Sequence, residues 1–86
     1  MKKVIKFYAD WCGPCKTYAD IFDKVSETHN SKAEFINVNV DKDTEGLAAE
    51  HKVRSIPHTT VIKENGTSVS KVGLLSESQL EELILS

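Results

Sequence analysis

Cys12 and Cys15, in the stretch "ADWCGPCK" spanning residues 9–16, stand two residues apart and are the only cysteines of the chain. Three kinds of chemistry fit such a pair. It can cycle between dithiol and disulfide, supply half of a zinc site, or be two packed and inert thiols. Zinc asks for four ligands in a closed site, usually a second cysteine pair or two closely spaced histidines. His29, His51 and His58 are scattered, so no metal site is expected. Inert buried thiols prefer apolar company, whereas the neighbours here are Asp10, Gly13, Pro14 and Lys16. Asp10 and Lys16, of opposite charge, read as solvated flanks.

The elements around the pair decide what each sulfur meets. "KKVIKFY" is rich in β-branched and aromatic residues and stops at Ala9-Asp10, which reads as a buried strand. From Pro14 to about His29 the period changes: Tyr18, Ile21, Phe22 and Val25 fall at i, i+3, i+4 and i+7, one apolar stripe of a helix. Pro14 suits a first helical turn because its missing N–H had no partner there. Cys12 then lies between strand and helix, with its sulfur toward the unpaired N–H groups and positive dipole end of the helix, which favour thiolate over thiol. That makes Cys12 the candidate nucleophile. Cys15, one turn further in and more shielded, suits the resolving role of attacking a mixed disulfide formed on Cys12.

The rest of the chain completes a small α/β domain. "AEFINVNVD" reads as a strand with Ile36, Val38 and Val40 on one face, and a short helix around Thr44 to Lys52 turns Leu47 and Ala48 inward. "TTVIKENGTSVSKV" is two β runs about a Glu64-Asn65-Gly66 turn, where Asn-Gly supplies the positive φ of a tight hairpin. In "LSESQLEELILS" Ser76 and Gln79 match a capping box, Leu75 can staple onto Leu80, and Leu80, Leu83 and Ile84 form the buried stripe. His29 and His51 read as helix-end residues interacting with the dipole. The order β-α-β-α-β-β-α, with a right-handed first crossover, predicts a four-stranded mixed sheet with helices on both faces.

Composition sets the outer bounds. The chain has 86 residues, 40% hydrophobic and 28% charged, with a net charge of -2, so a single soluble domain over residues 1–86 is expected. No basic footprint for a nucleic acid is present. Lys6 interrupts the N-terminal apolar run before a secretory signal could form, and no stretch approaches the about 18 apolar residues of a membrane span. A cytoplasmic location follows as the expectation, and a reducing compartment makes a cysteine pair catalytic more often than structural. A mild preference for a monomer follows from the lack of an obvious exposed apolar helix face.

Three segments in order, "WCGPC", "SIPH" and "KVGLLS", resemble thioredoxin across almost the whole chain. The resemblance implies a minimal thioredoxin fold and a protein-disulfide reductase, with Cys12 as nucleophile and Cys15 as resolving thiol. It implies no resident cofactor, disulfide-containing proteins as substrates, and a thioredoxin-reductase-like enzyme or small thiol as electron donor. It also implies that Ile56-Pro57 is a cis peptide against the cysteines, and that Trp11, Gly13, Pro14, Ile56, Pro57, Gly73 and Leu74 form a shallow substrate-binding patch. Trp11 has a plainer role open to it, as a surface aromatic packed on the helix start. Gly-Pro between the cysteines and the absence of a Gly-Gly-acid pattern stand against a glutaredoxin. Isomerase or oxidase activity, and a binding module with incidental thiols, are the remaining alternatives.

The chain also departs from the family. Thioredoxins usually begin with a further strand and helix, which this sequence lacks. Six residues before the first cysteine they commonly carry a buried Asp that helps move the resolving thiol's proton; here that position is Lys6, and the Lys that accompanies the acid corresponds to Asn37. Lys6 is thus either a modulator of thiol pKa or a packed stem whose amine snorkels to water. His58, where Thr is common, is expected to face the cysteines, as a second modulator of thiol pKa, or to be an exposed strand residue.

Overall fold

The computed structural model describes residues 1–86. Its elements are β1 (Lys2–Tyr8), α1 (Gly13–His29), β2 (Ala33–Asn39), a 3-10 turn (Val40–Lys42), α2 (Leu47–Glu50), β3 (His58–Ile62), β4 (Ser68–Val72) and α3 (Glu77–Leu85). The strands form one mixed sheet in the order β2-β1-β3-β4. β1 runs parallel to β2 and antiparallel to β3, and β3 runs antiparallel to β4. The expected topology and strand count are those observed.

Alternation along β1 divides the core in two. Val4 packs with Tyr18, Phe22 and Val25 of α1, with Val61 of β3 and with Leu80, Leu83 and Ile84 of α3. Ile5 and Phe7 point the other way and pack with Val38 under Leu47, Ala48 and Val53 around α2. α1 and α3 therefore cover one face and α2 the other. α3 starts on the anticipated capping box: the Gln79 N–H donates to Ser76 Oγ at 3.2 Å, and the Ser76 N–H donates to Gln79 Oε1 at 2.9 Å. Leu75 and Leu80 share the main core.

Four local expectations are corrected. The second helix is one turn, not the span from Thr44 to Lys52. The Asp43 carboxylate accepts the N–H groups of Leu47 at 3.0 Å and Ala48 at 2.7 Å, and Gly46 at φ 70° sets the start. Lys52, at φ 57°, ends it: its N–H donates to the Ala49 carbonyl and the Val53 N–H to the Ala48 carbonyl, a Schellman closure. Val40 belongs to the 3-10 turn, not to β2. In the hairpin only Gly66 takes a positive φ, 91°, while Asn65 folds its side chain over the loop to accept the Thr67 N–H at 3.1 Å. His29 is buried, and its Nε2 meets Glu81 Oε2 at 2.8 Å, tying the end of α1 to α3.

Candidate active site

β1 delivers the chain to the edge of the sheet, and Ala9, Asp10 and Trp11 turn it into α1, with the Cys12 N–H donating to the Ala9 carbonyl at 3.2 Å. Cys12 is the N-cap of α1. Its sulfur accepts the Cys15 backbone N–H at 3.2 Å, so one of the unpaired donors of the helix start is aimed at it. Cys12 and Cys15 are joined as a disulfide, with Cα atoms 5.2 Å apart. Both are buried, and they pack with Ala9 against Tyr8, Val40 and Ile56.

The segment facing the pair is the one the resemblance pointed to. Ile56-Pro57 is cis, and the Ile56 carbonyl oxygen lies 3.9 Å from Cys12 Sγ. Gly73, at φ 96°, donates its N–H to the Pro57 carbonyl at 2.8 Å, which ties the "KVGLLS" segment to the proline. Trp11, Gly13, Pro14 and Leu74 are exposed around Cys12, Ile56 and Gly73 are half-buried, and Pro57 is buried. Trp11 is 70% exposed, and its indole N–H donates to Asp41 Oδ2 at 2.8 Å, so a residue of the 3-10 turn steadies it. Asp41 was not singled out in the sequence, where it carried no signal beyond following a strand. Val72, exposed beside Gly73, was likewise passed over.

Lys6 and His58 take different sides of the sheet. The Lys6 side chain lies on the α1 face, with Nζ 5.0 Å from the Phe22 ring centroid and 5.1 Å from that of Tyr8. It lines an open cleft of about 560 Å³ together with Tyr8, Cys15, Ala19, Asp23 and Asn37. Burial lowers the Lys6 pKa, and the Asp23 carboxylate opposes that shift. His58 does not face the cysteines. Thr59, its neighbour, bonds the buried Tyr18 hydroxyl at 2.6 Å on the α1 face, so alternation turns His58 to the α2 face. There it is buried edge-on to Phe7, with Nε2 3.1 Å from Thr60 Oγ1. Burial, and then the nearby His51, lower its pKa. No group of three or more His, Cys, Asp or Glu side chains converges in the molecule.

Comparison with known proteins agrees with this geometry. The thioredoxin family model matches residues 1–86. The chain belongs to the thioredoxin family. It is 34% identical over 83 residues to a thioredoxin of Mycoplasmoides gallisepticum, an alignment covering 96% of this chain and 81% of that one. A Borreliella burgdorferi thioredoxin is 36% identical over 81 residues, covering 94% and 68%. Among solved structures, thioredoxin-2 of the malaria parasite superimposes with a TM-score of 0.88 at 29% identity, over 99% of this chain and 82% of that one. The Malassezia sympodialis thioredoxin does so with a TM-score of 0.84 at 36% identity, over 98% and 72%. A thioredoxin fold with a Cys12–Cys15 disulfide at its helix start makes this chain a thiol-disulfide oxidoreductase.

Proposed function

We propose that the chain reduces disulfide bonds in proteins. Cys12, as thiolate, attacks one sulfur of the substrate disulfide; the other sulfur leaves as a thiolate, and a mixed disulfide joins Cys12 to the substrate. Cys15 then attacks Cys12 Sγ, the second substrate sulfur leaves, and the Cys12–Cys15 disulfide remains. Two electrons pass from the pair to the substrate. The observation that carries this reading is the placement of Cys12 Sγ at the N-cap of α1 with the Cys15 N–H donating to it. The same field that favours the Cys12 thiolate makes it the better attacking group.

Trp11, Gly13, Pro14, Ile56, Pro57, Gly73 and Leu74 form the docking surface in this reading. A largely apolar, shallow surface suits an exposed loop of a protein better than a small charged thiol. A reductase of the kind that serves thioredoxins, or a small thiol, restores the dithiol, and the chain works as a monomer in a reducing cytoplasm, in electron transfer and redox homeostasis. The test is reduction of insulin disulfides with dithiothreitol as the recharging thiol. Wild-type protein is expected to accelerate it, Cys12→Ser to abolish the acceleration, and Cys15→Ser to accumulate a mixed disulfide visible by mass spectrometry. A mixed disulfide trapped on Cys15 in the Cys12→Ser variant, with none on Cys12, would reverse the two roles. No acceleration by wild type would leave the fold as a binding module.

A further inference from the structure

The two cysteines meet different sources of positive charge. Cys12 has the start of α1, through the Cys15 N–H. Cys15 lies one turn inside the helix, where backbone N–H groups are already bonded, so the helix start offers its sulfur no such donor. Its side chain instead lines the cleft between β1 and α1, and Cys12 does not. The floor of that cleft is Lys6, an amine only 4% exposed that takes part in neither of the two ion pairs of the molecule, Lys24–Glu77 and His29–Glu81. It has no recorded hydrogen-bond partner, and the Tyr8 and Phe22 rings hold it through their faces.

Aromatic faces stabilise a cation without cancelling its field as an ion pair does. The other charged or titratable groups around the cleft are Tyr8 of β1, Asp10 of the turn, and Lys16 and Asp23 of α1; β2 contributes only the neutral Asn37. Asp10 and Lys16 are exposed and oppose each other in sign. Asp23 is the one carboxylate that acts on Lys6, and it stands eight residues beyond Cys15, about 12 Å along the helix axis. It helps keep the amine protonated while lying far from the sulfur.

We propose that the Lys6 ammonium stabilises the thiolate of Cys15 during the resolving step, through the cleft that both side chains line. The inference rests on the dithiol reading above. Cys15 loses its proton to water in the cleft, the thiolate attacks Cys12 Sγ, the bond between Cys12 and the substrate sulfur breaks, and that sulfur leaves as a thiolate and takes up a proton from solvent. Lys6 keeps its own proton throughout and supplies only charge, so it is a positioning residue for the electrostatics of Cys15.

The test needs no substrate. In a Cys12→Ser background Cys15 is the sole thiol, and its thiolate is followed by ultraviolet absorbance against pH and by the rate of alkylation with iodoacetamide. Adding Lys6→Met is expected to raise the Cys15 pKa by about one unit and slow alkylation at neutral pH about tenfold. Lys6→Arg, which keeps the charge, is expected to restore both. A Cys15 thiol that titrates identically with Lys6, Met or Arg, in variants shown to be folded by circular dichroism, overturns the proposal. If Lys6→Met fails to fold, Lys6→Gln takes its place with the same expected slowing. Failure of wild-type protein to reduce insulin, with the Lys6 dependence intact, would sink the reductase reading alone.

Discussion

Lys6 and His58 sit on neighbouring strands, one residue out of register: Lys6 pairs with Thr59, and Phe7 with His58. Because side chains alternate across a strand, that single step sends them to opposite faces. Lys6 comes out on the α1 face, beside water and Cys15; His58 comes out on the α2 face, sealed against Phe7 and Thr60. Both are cationic groups whose pKa burial lowers. Only one of them shares a cleft with a sulfur. Proximity to the active site in sequence therefore says little here, and the face of the sheet decides which charge can take part in the chemistry.

The sharpest contrast comes from removing the aromatic ring that each cation touches. Phe7→Ala and Phe22→Ala, both at fully buried positions, should each cost about 3–5 kcal/mol, read by urea unfolding. Only Phe22→Ala should also slow alkylation of Cys15, since it alone removes a ring that holds Lys6. Equal alkylation rates would remove the link between the α1 face and the sulfur. Next in size, Tyr18→Phe leaves the Thr59 hydroxyl without its partner in the core and should cost about 1–3 kcal/mol by the same measurement. Burial pushes the Tyr18 phenol up to about 12, with the Thr59 hydrogen bond opposing, against 10.0 unfolded. Between those values the folded state holds the proton that the unfolded chain has lost, so stability falls as pH rises through that window, and Tyr18→Phe should abolish this part of the alkaline loss.

The smaller effects are those of the two cations on stability. The His58 imidazole titrates lower in the folded state than its 6.5 reference. Below pH 6.5 the unfolded chain binds the extra proton first, so stability present above that pH declines as acid is added, and His58→Gln should flatten the decline. Lys6 follows the same sign in another window: its pKa is lowered from 10.5, so stability rises as pH climbs toward that value and the folded amine deprotonates first. Thermal melts of Lys6→Met should lack the alkaline gain. An acid loss that survives His58→Gln, or an alkaline gain that survives Lys6→Met, would show that another group carries it.

Much of this was legible before any coordinates. The apolar stripe of α1, the capping box of α3 and the position of Cys12 at a helix start follow from spacing and residue type, because each depends on groups within a few residues of one another. The α2 region was not, since its single turn is set by the Asp43 side chain and by left-handed backbone at Gly46 and Lys52, which a helical pattern does not display. His58 was placed on the wrong face because Thr59 and Thr60 are both buried, and two adjacent polar residues hide the alternation that Val61 alone reveals. The role of Asp23 was within reach: Cys15, Ala19 and Asp23 fall at i, i+4 and i+8 on one face of α1, and all three line the cleft.

The reduction potential of the Cys12/Cys15 pair, read as the oxidised fraction in graded thiol-disulfide buffers, tests the central claim most directly. The account predicts a reversible two-electron couple within about 30 mV of the about -270 mV known for thioredoxin. A value near about -180 mV or higher would contradict the reductase reading and mark an oxidant or isomerase, and a pair that forms no reversible disulfide would contradict the dithiol chemistry itself.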